Sequence, residues 1–378
     1  MEKNKELTAS SAKRIVHDVC KVKKGERVLI VTNRFVQDGI ANTEAISQAL
    51  YDECVAVGAQ VVTIVQPVKT ALDKADLSVV AALKTEPDVF FSISENKLGK
   101  DEQAIQNPYT AEDGSTHDHI FDYLLYGKKS MRAVWTPGIT LDMFVRTVDI
   151  DYNLLQTRCQ DLCAKYKDAE SVHVTAPSGT DIVVPVAGRK PLSDDGSFCI
   201  PGTGGNIPAG EVFISPLVGD GKAFGCNGRI VFDGSITVND GDILIKEPIH
   251  VEVQGGFVTK INGGTEAEKV LETITTSENS AIKMESEGRL PKGQGNVYKR
   301  NARNIGELGI GLNPAAKITG NMLEDEKAFK TCHFAIGANY DGDAPALTHL
   351  DGVVCNPTIT MNYSDGSQVK IMDKGILL

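Results

Sequence analysis

Five side chains able to bind a metal ion or carry a proton crowd into the last quarter of this 378-residue chain: Glu307, His333, Tyr340, His349 and Asp351. Each stands in apolar or glycine-rich sequence, in the runs IGELGIGLNP, TCHFAIGANY and LTHLDGVVCNPTIT. These runs read as strands rather than loops, and a rigid polar constellation held by strands points to a metal site with chemistry to perform. In a strand, residues i and i+2 project to one face. His349 and Asp351 therefore point together and form a two-point chelate for a divalent cation. They lie only 16 residues after His333, within reach of one hairpin.

The same alternation puts His333, Ala335 and Gly337 on one face, so the imidazole has small neighbours and room for a ligand. Tyr340, past the break at Gly337, is placed to bring its hydroxyl to the same pocket. Glu307 sits among glycines and isoleucines, where a charge is buried only if it is paired or metal-bound. A third carboxylate, Glu211, follows a loop with Gly202, Gly204, Gly205 and Gly210, and Pro208 fixes its approach. Glycines of that density let backbone come close, so Glu211 can be aimed into a cleft. Each residue taken alone also has a plain structural reading: a strand-edge glutamate, a satisfied core histidine, a half-buried tyrosine. His117-Asp118-His119 reads as the start of the helix IFDYLLYG with Asp118 as its N-cap, and Asp341 and Asp343 read as turn residues.

The elements that must position these groups fall into two regimes. In the first half, helical patterns alternate with the apolar runs VLIV (28–31), VVTIV (61–65), VFFSI (89–93) and AVW (133–135). Strands separated by helices imply βαβ units and a mainly parallel sheet covered on both faces, with VVTIV among the buried strands. A helix from about Tyr152 to Lys167 closes this α/β scaffold domain, residues 1–168. From 169 to 378 the rhythm is that of hairpins. SVHVTAPSGTDIVVPV, GRIVFDGSIT and IHVEVQGGFVTKING each read as two strands about a turn. With one helical pattern at 265–276, this half reads as a β-rich α+β metal-binding domain.

Composition bounds the partners. The chain is 41% hydrophobic and 24% charged with a formal net charge of -11, which argues against nucleic acid or an anionic membrane surface, since both need clustered Lys and Arg. No apolar leader segment opens the chain, no run approaches the roughly 18 apolar residues of a spanning helix, and the eight cysteines are scattered with no CxxC pair. These features lead us to expect a cytoplasmic protein. GxSxG, HExxH, GxxxxGK[ST] and a GxGxxG after a strand are all absent, which removes the serine-hydrolase, zincin, Walker and Rossmann readings.

Taken together, NIPAGEVF, the glutamate of ELGIGLNP, DEKAFKTCHFAIGANY and the closing HLD resemble the M29 metallo-aminopeptidases, the aminopeptidase T family. The likeness covers the C-terminal half, and over the first 150 residues only the α/β pattern fits. It implies two divalent cations (Zn, Co or Mn) held by Glu211, Glu307, His333, His349 and Asp351, with Tyr340 beside them. Glu307 would take a proton from a metal-activated water, Tyr340 would bind a metal or steady the oxyanion, and the substrate would be a peptide cut at its N-terminal residue. A homodimer is implied by the same likeness. The chain departs from the family pattern in Gly204-Gly205, where an arginine is usual, in a short interval between His333 and His349, and in HLD for HWD. It also carries the extra stretch SENSAIKMESEGRLPKGQGNVYKRN. A second reading is a mononuclear Fe(II) ring-cleaving enzyme, because the scaffold also resembles the 2,5-dihydroxypyridine dioxygenases, whose two-histidine, one-carboxylate triad His333, His349 and Asp351 would imitate. A third is a binding protein that has kept the fold. The presence of both glutamates favours the two-metal hydrolase among the three.

Overall fold

The apolar runs of the first half become the parallel strands Arg27–Asn33, Gln60–Gln66, Val89–Ser94 and Arg132–Pro137 of one sheet. The computed structural model describes residues 2–33, 42–70 and 72–378. The chain divides into two compact units, Met1–Gln156 with Asp194–Ala209, and Thr157–Ser193 with Gly210–Leu378.

In the first unit the helices Asn42–Val57 and Leu77–Leu83 link successive strands of the sheet. Val89–Ser94 is buried along its whole length, as expected of a parallel strand covered on both faces. VVTIV departs from that expectation. Gln60–Gln66 is the edge strand, and Val62 and Val65 are more than half exposed. The opposite edge is Gly204–Asn206, a segment that reads as loop because two of its three residues are glycine. Its place is tight: a Cβ on Gly204 would lie 2.5 Å from the Ala133 carbonyl oxygen. The helix beginning at Ile120 is capped by His119, whose Nδ1 accepts a hydrogen bond from the Phe121 amide at 3.0 Å, and not by Asp118.

The second unit is β-rich. One sheet runs Gly241–Leu244, Ser235–Val238, His349–Cys355, Thr331–Gly337, Ile305–Gly311, Glu211–Ile214, with Leu192–Asp194 outermost. Its registered neighbours pair antiparallel. An eight-stranded sheet contains the hairpins Ala169–Thr175 with Asp181–Pro185, and Ile249–Gln254 with Phe257–Asn262. Gly255 and Gly256, both at positive φ, make the second turn, as a two-residue hairpin loop requires. GRIVFDGSIT is not a hairpin. Asn227–Phe232 belongs to the eight-stranded sheet and Ser235–Val238 to the other, so the Asp-Gly step carries the chain between sheets. The helix expected over 265–276 runs on to Ser286, and Gln294–Asn301 is helical too. The extra stretch is therefore mostly helix.

One face of the first of these sheets is apolar: Leu308, Ile310, Cys332, Phe334, Ile336 and Leu350 are buried there. The alternate residues of the same strands carry the polar groups. Burying half of every strand is what pins the register that brings those groups together. All eight cysteines are free, and among the described residues no helix is long and apolar enough to cross a membrane.

Candidate metal centre

Register decides which groups meet. Glu211 stands opposite Gly311, Gly309 opposite His333, Glu307 opposite Ala335, and Ala335 opposite Asp351. Each large polar side chain thus has a glycine or alanine across from it. The clearest case is Gly309: a Cβ there would lie 2.0 Å from His333 Nε2, inside the imidazole's own space. The alternating glycines of ELGIGLN are the cradle in which the histidine lies.

Glu307 joins the two imidazoles. Its Oε1 is 3.0 Å from His333 Nε2 and its Oε2 is 3.3 Å from His349 Nε2. His349 Nε2 is also 3.2 Å from Asp351 Oδ1, and His333 Nε2 is 3.6 Å from Glu211 Oε2. The structure therefore brings together all five of the carboxylates and imidazoles singled out from the sequence. Tyr340 lies beside them. Its ring meets His349 edge-on at 5.4 Å and packs against Phe213 at 5.0 Å, while the residue as a whole stays 60% exposed.

The electrostatics ask for a cation. His349 Nδ1 is 2.9 Å from the Ala338 carbonyl oxygen, which can only accept, so Nδ1 carries the proton. The neutral ring then presents its Nε2 lone pair to two carboxylates at once, an arrangement stable only with a proton or a metal ion there. A histidine that ligates through one nitrogen and donates from the other to a carbonyl is the usual metal-bound form. Glu211 Oε2, Glu307 Oε2 and Asp351 Oδ1 are buried without a well-formed hydrogen bond. Orphaned carboxylate oxygens are costly unless they have a cation to bind. Burial works against charge on Glu307, yet the two imidazoles outweigh it and hold the carboxyl down at about 2. Burial works likewise to lower His333, and Glu307, Glu211 and Asp351 hold it up at about 9; His349 is raised well above its ordinary value by Asp351 and Glu307 against the same burial.

Among the described residues, two groups of ligand atoms fit a metal ion: Glu307 with His349 and Asp351, and Glu211 with Glu326 and His333. Glu326 was not among the residues singled out, although it stands in the quoted run DEKAFKTCHF. Its neighbour Lys327 was missed as well. Lys327 is wholly buried, and its Nζ donates to Glu211 Oε1 at 2.6 Å and to Glu326 Oε1. Burial pushes the Glu211 carboxyl up to about 8 in spite of this lysine. Phe213 was also overlooked, and strand alternation from Glu211 points to it. Asp341 and Asp343 do serve a turn, and both also pair with Arg189.

A family model described as NicX, 2,5-dihydroxypyridine 5,6-dioxygenase, matches residues 149–376. A curated 2,5-dihydroxypyridine 5,6-dioxygenase from Pseudomonas putida is 29% identical over 108 residues, which span 27% of this chain and only 28% of that protein. Among solved structures, the 2,5-dihydroxypyridine dioxygenase of Pseudomonas putida superposes with a TM-score of 0.68 at 18% identity, covering 99% of this chain and 97% of that one. Wild-type AmpT from Thermus thermophilus gives 0.62 at 17% identity, with 99% of each chain covered. The fold is thus the one both sequence resemblances implied. The hydrolase assignment, with its aminopeptidase and protease labels, is overturned by the family match and the curated relative, which point to an oxidoreductase. The reason is chemical: glutamates, histidines and an aspartate on one scaffold are cation ligands, and that ligand set does not by itself choose between activating water and using O2.

Proposed function

We propose, starting from the fact that this chain belongs to the 2,5-dihydroxypyridine 5,6-dioxygenase family, that it opens the ring of a hydroxylated pyridine with O2 at a single Fe(II) centre. The observation that carries the reading is the meeting of two imidazoles on one carboxylate, Glu307, with Asp351 against the second imidazole. In this reading His333, His349 and Asp351 would hold the metal, a two-histidine, one-carboxylate set suited to non-haem Fe(II). Bound Fe(II) supplies the one-electron chemistry that O2 needs to add to an aromatic ring and that no side chain provides.

The chain's own residues do the rest. Glu307, kept ionised by its two imidazoles, accepts the proton that a ring hydroxyl loses on binding. Phe213 and Tyr340 form an aromatic wall beside His349, a surface against which a flat heterocycle stacks. Tyr340, exposed at the rim, offers its hydroxyl to a ring substituent. The apolar underside of the sheet keeps water from the site's floor.

The test is anaerobic loading with Fe(II), then O2 uptake and loss of ring absorbance with 2,5-dihydroxypyridine and its positional isomers. One O2 consumed per ring lost supports the proposal. Fe(II)-loaded protein that takes up no O2 with any of these rings overturns it.

A further inference from the structure

The two groups of ligand atoms described above are chemically alike, and on donor types alone each would take a cation. They differ in one respect. The group of Glu211, Glu326 and His333 already contains a positive charge, the ammonium of Lys327. That side chain has no exposed surface, and its Nζ takes Oε1 of Glu211 and Oε1 of Glu326 as acceptors. One oxygen of each carboxylate is thereby taken, and an arriving divalent ion would face a buried like charge that water does not screen.

The lysine is also fixed. Its amide donates to the Glu324 carbonyl at 3.0 Å, and its carbonyl accepts from the Asn313 amide at 2.9 Å. The segment before it is held by Asp325, whose carboxylate accepts from the Thr319 and Gly320 amides. On the other side the backbone at 327–328 lies directly on Gly311, where a Cβ would be 2.1 Å from the Ala328 carbonyl oxygen. The backbone that carries Lys327 is thus tied on both sides, and full burial leaves its side chain no solvent-facing position to turn to. The second group has no such lysine: beside Glu307, His349 and Asp351 stand Ala335, the aromatic ring of Tyr340 and the imidazole of His333, whose Nε2 is 3.0 Å from Glu307 Oε1. With the ammonium on Glu211 and Glu326, that imidazole is left to the single ion of the reading above.

We propose that Lys327 is a built-in cation standing where a second metal ion would otherwise sit, and that it limits this centre to one ion. The inference rests on the single-metal reading above and explains how a site with ligands for two ions serves one. Lys327 is on this account a specificity residue for metal number, acting through Glu211 and Glu326.

The test is titration of the metal-free full chain with Mn2+, followed by calorimetry, elemental analysis after desalting, and electron paramagnetic resonance. The wild type should take one Mn2+ per chain with an uncoupled signal. Lys327→Asn and Lys327→Met should each take two, with a spin-coupled signal, and Lys327→Arg should return to one. Two ions in the wild type, or one ion in both neutral variants with native near-ultraviolet circular dichroism, overturns the proposal. Should the neutral variants fail to fold, anomalous diffraction from wild-type crystals in excess Mn2+ decides. A peak against Glu211 and Glu326 overturns the proposal, and a lone peak against His349 and Asp351 supports it. The oxygenase reading fails separately. O2 uptake by wild type together with one-ion neutral variants sinks only the inference, and a one-ion wild type with two-ion variants but no O2 uptake sinks only the reading.

Discussion

Gly309 holds no ligand atom, yet the position of His333 depends on it. Its missing Cβ is the space the imidazole fills, so Gly309→Ala must push the ring away or bend the strand. We expect metal content per chain to fall at least about tenfold in equilibrium dialysis, in line with the cost of disturbing a ligand's support, while far-ultraviolet circular dichroism stays native. Glu307→Gln keeps shape and removes charge. If Glu307 takes the substrate's proton, turnover should fall by roughly 10²–10⁴, measured as O2 uptake at saturating Fe(II). Metal-free protein should also show the charges in its stability. His333 is raised from 6.5 to about 9, so its contribution is whole below pH 6.5 and is lost as pH rises through 9. Glu211, raised from 4.5 to about 8, pulls the same way, because its ionisation in the folded state is resisted. Glu307, lowered from 4.5 to about 2, contributes above pH 4.5 and loses that as pH falls toward 2. The melting temperature of metal-free protein should therefore decline between pH 6.5 and 9, and a flat profile across that window would contradict the charge arrangement.

At the scale of elements, the site is the upper surface of a sheet whose lower surface is core. Leu308→Ala, on the buried face next to Glu307, should cost about 2–5 kcal/mol in urea denaturation, with a drop in metal affinity because the strand that aims Glu307 loosens. Much of this surface was legible beforehand. Strand alternation alone put His349 with Asp351 and left small residues beside His333, and all five carboxylate and imidazole positions do converge. Glu326 and Lys327 were illegible for a physical reason. They lie just past the four-residue helix Met322–Asp325, where no periodicity reports which way a side chain faces. A charged pair in such a segment looks solvated until a strand packs under it. VVTIV misled in the opposite direction, because an edge strand and a central one share the same apolar pattern. The Asp-Gly of GRIVFDGSIT carries a hairpin signature, but only the partners of its flanking strands show that it changes sheets.

Across the whole molecule, every candidate ligand lies in the second unit, and the family match begins at residue 149 and so falls mostly within it. The α/β pattern of the first half was readable because buried parallel strands are continuous apolar runs; its fifth strand was not, since glycine carries no side-chain signal. The choice between hydrolysis and oxygenation was not readable from the ligands, because both chemistries use the same donors. Chelation should separate metal from fold here. Treatment with a strong chelator should abolish O2 uptake and leave the secondary structure intact, with Fe(II) restoring activity, because the apolar face of the sheet is buried whether or not a cation is bound.

The pairing of Glu211–Ile214 with Ile305–Gly311 joins partners more than ninety positions apart, and the intervening chain builds three strands of the eight-stranded sheet, two of the other, and two helices. Closing so long a loop costs entropy that its own contacts repay only afterwards, so such pairings form slowly. The hairpins within that excursion have no such delay. A chain refolding from denaturant should thus recover most of its strand signal before it recovers the capacity to bind Mn2+, and the interval between the two is the time needed to bring Glu211 home.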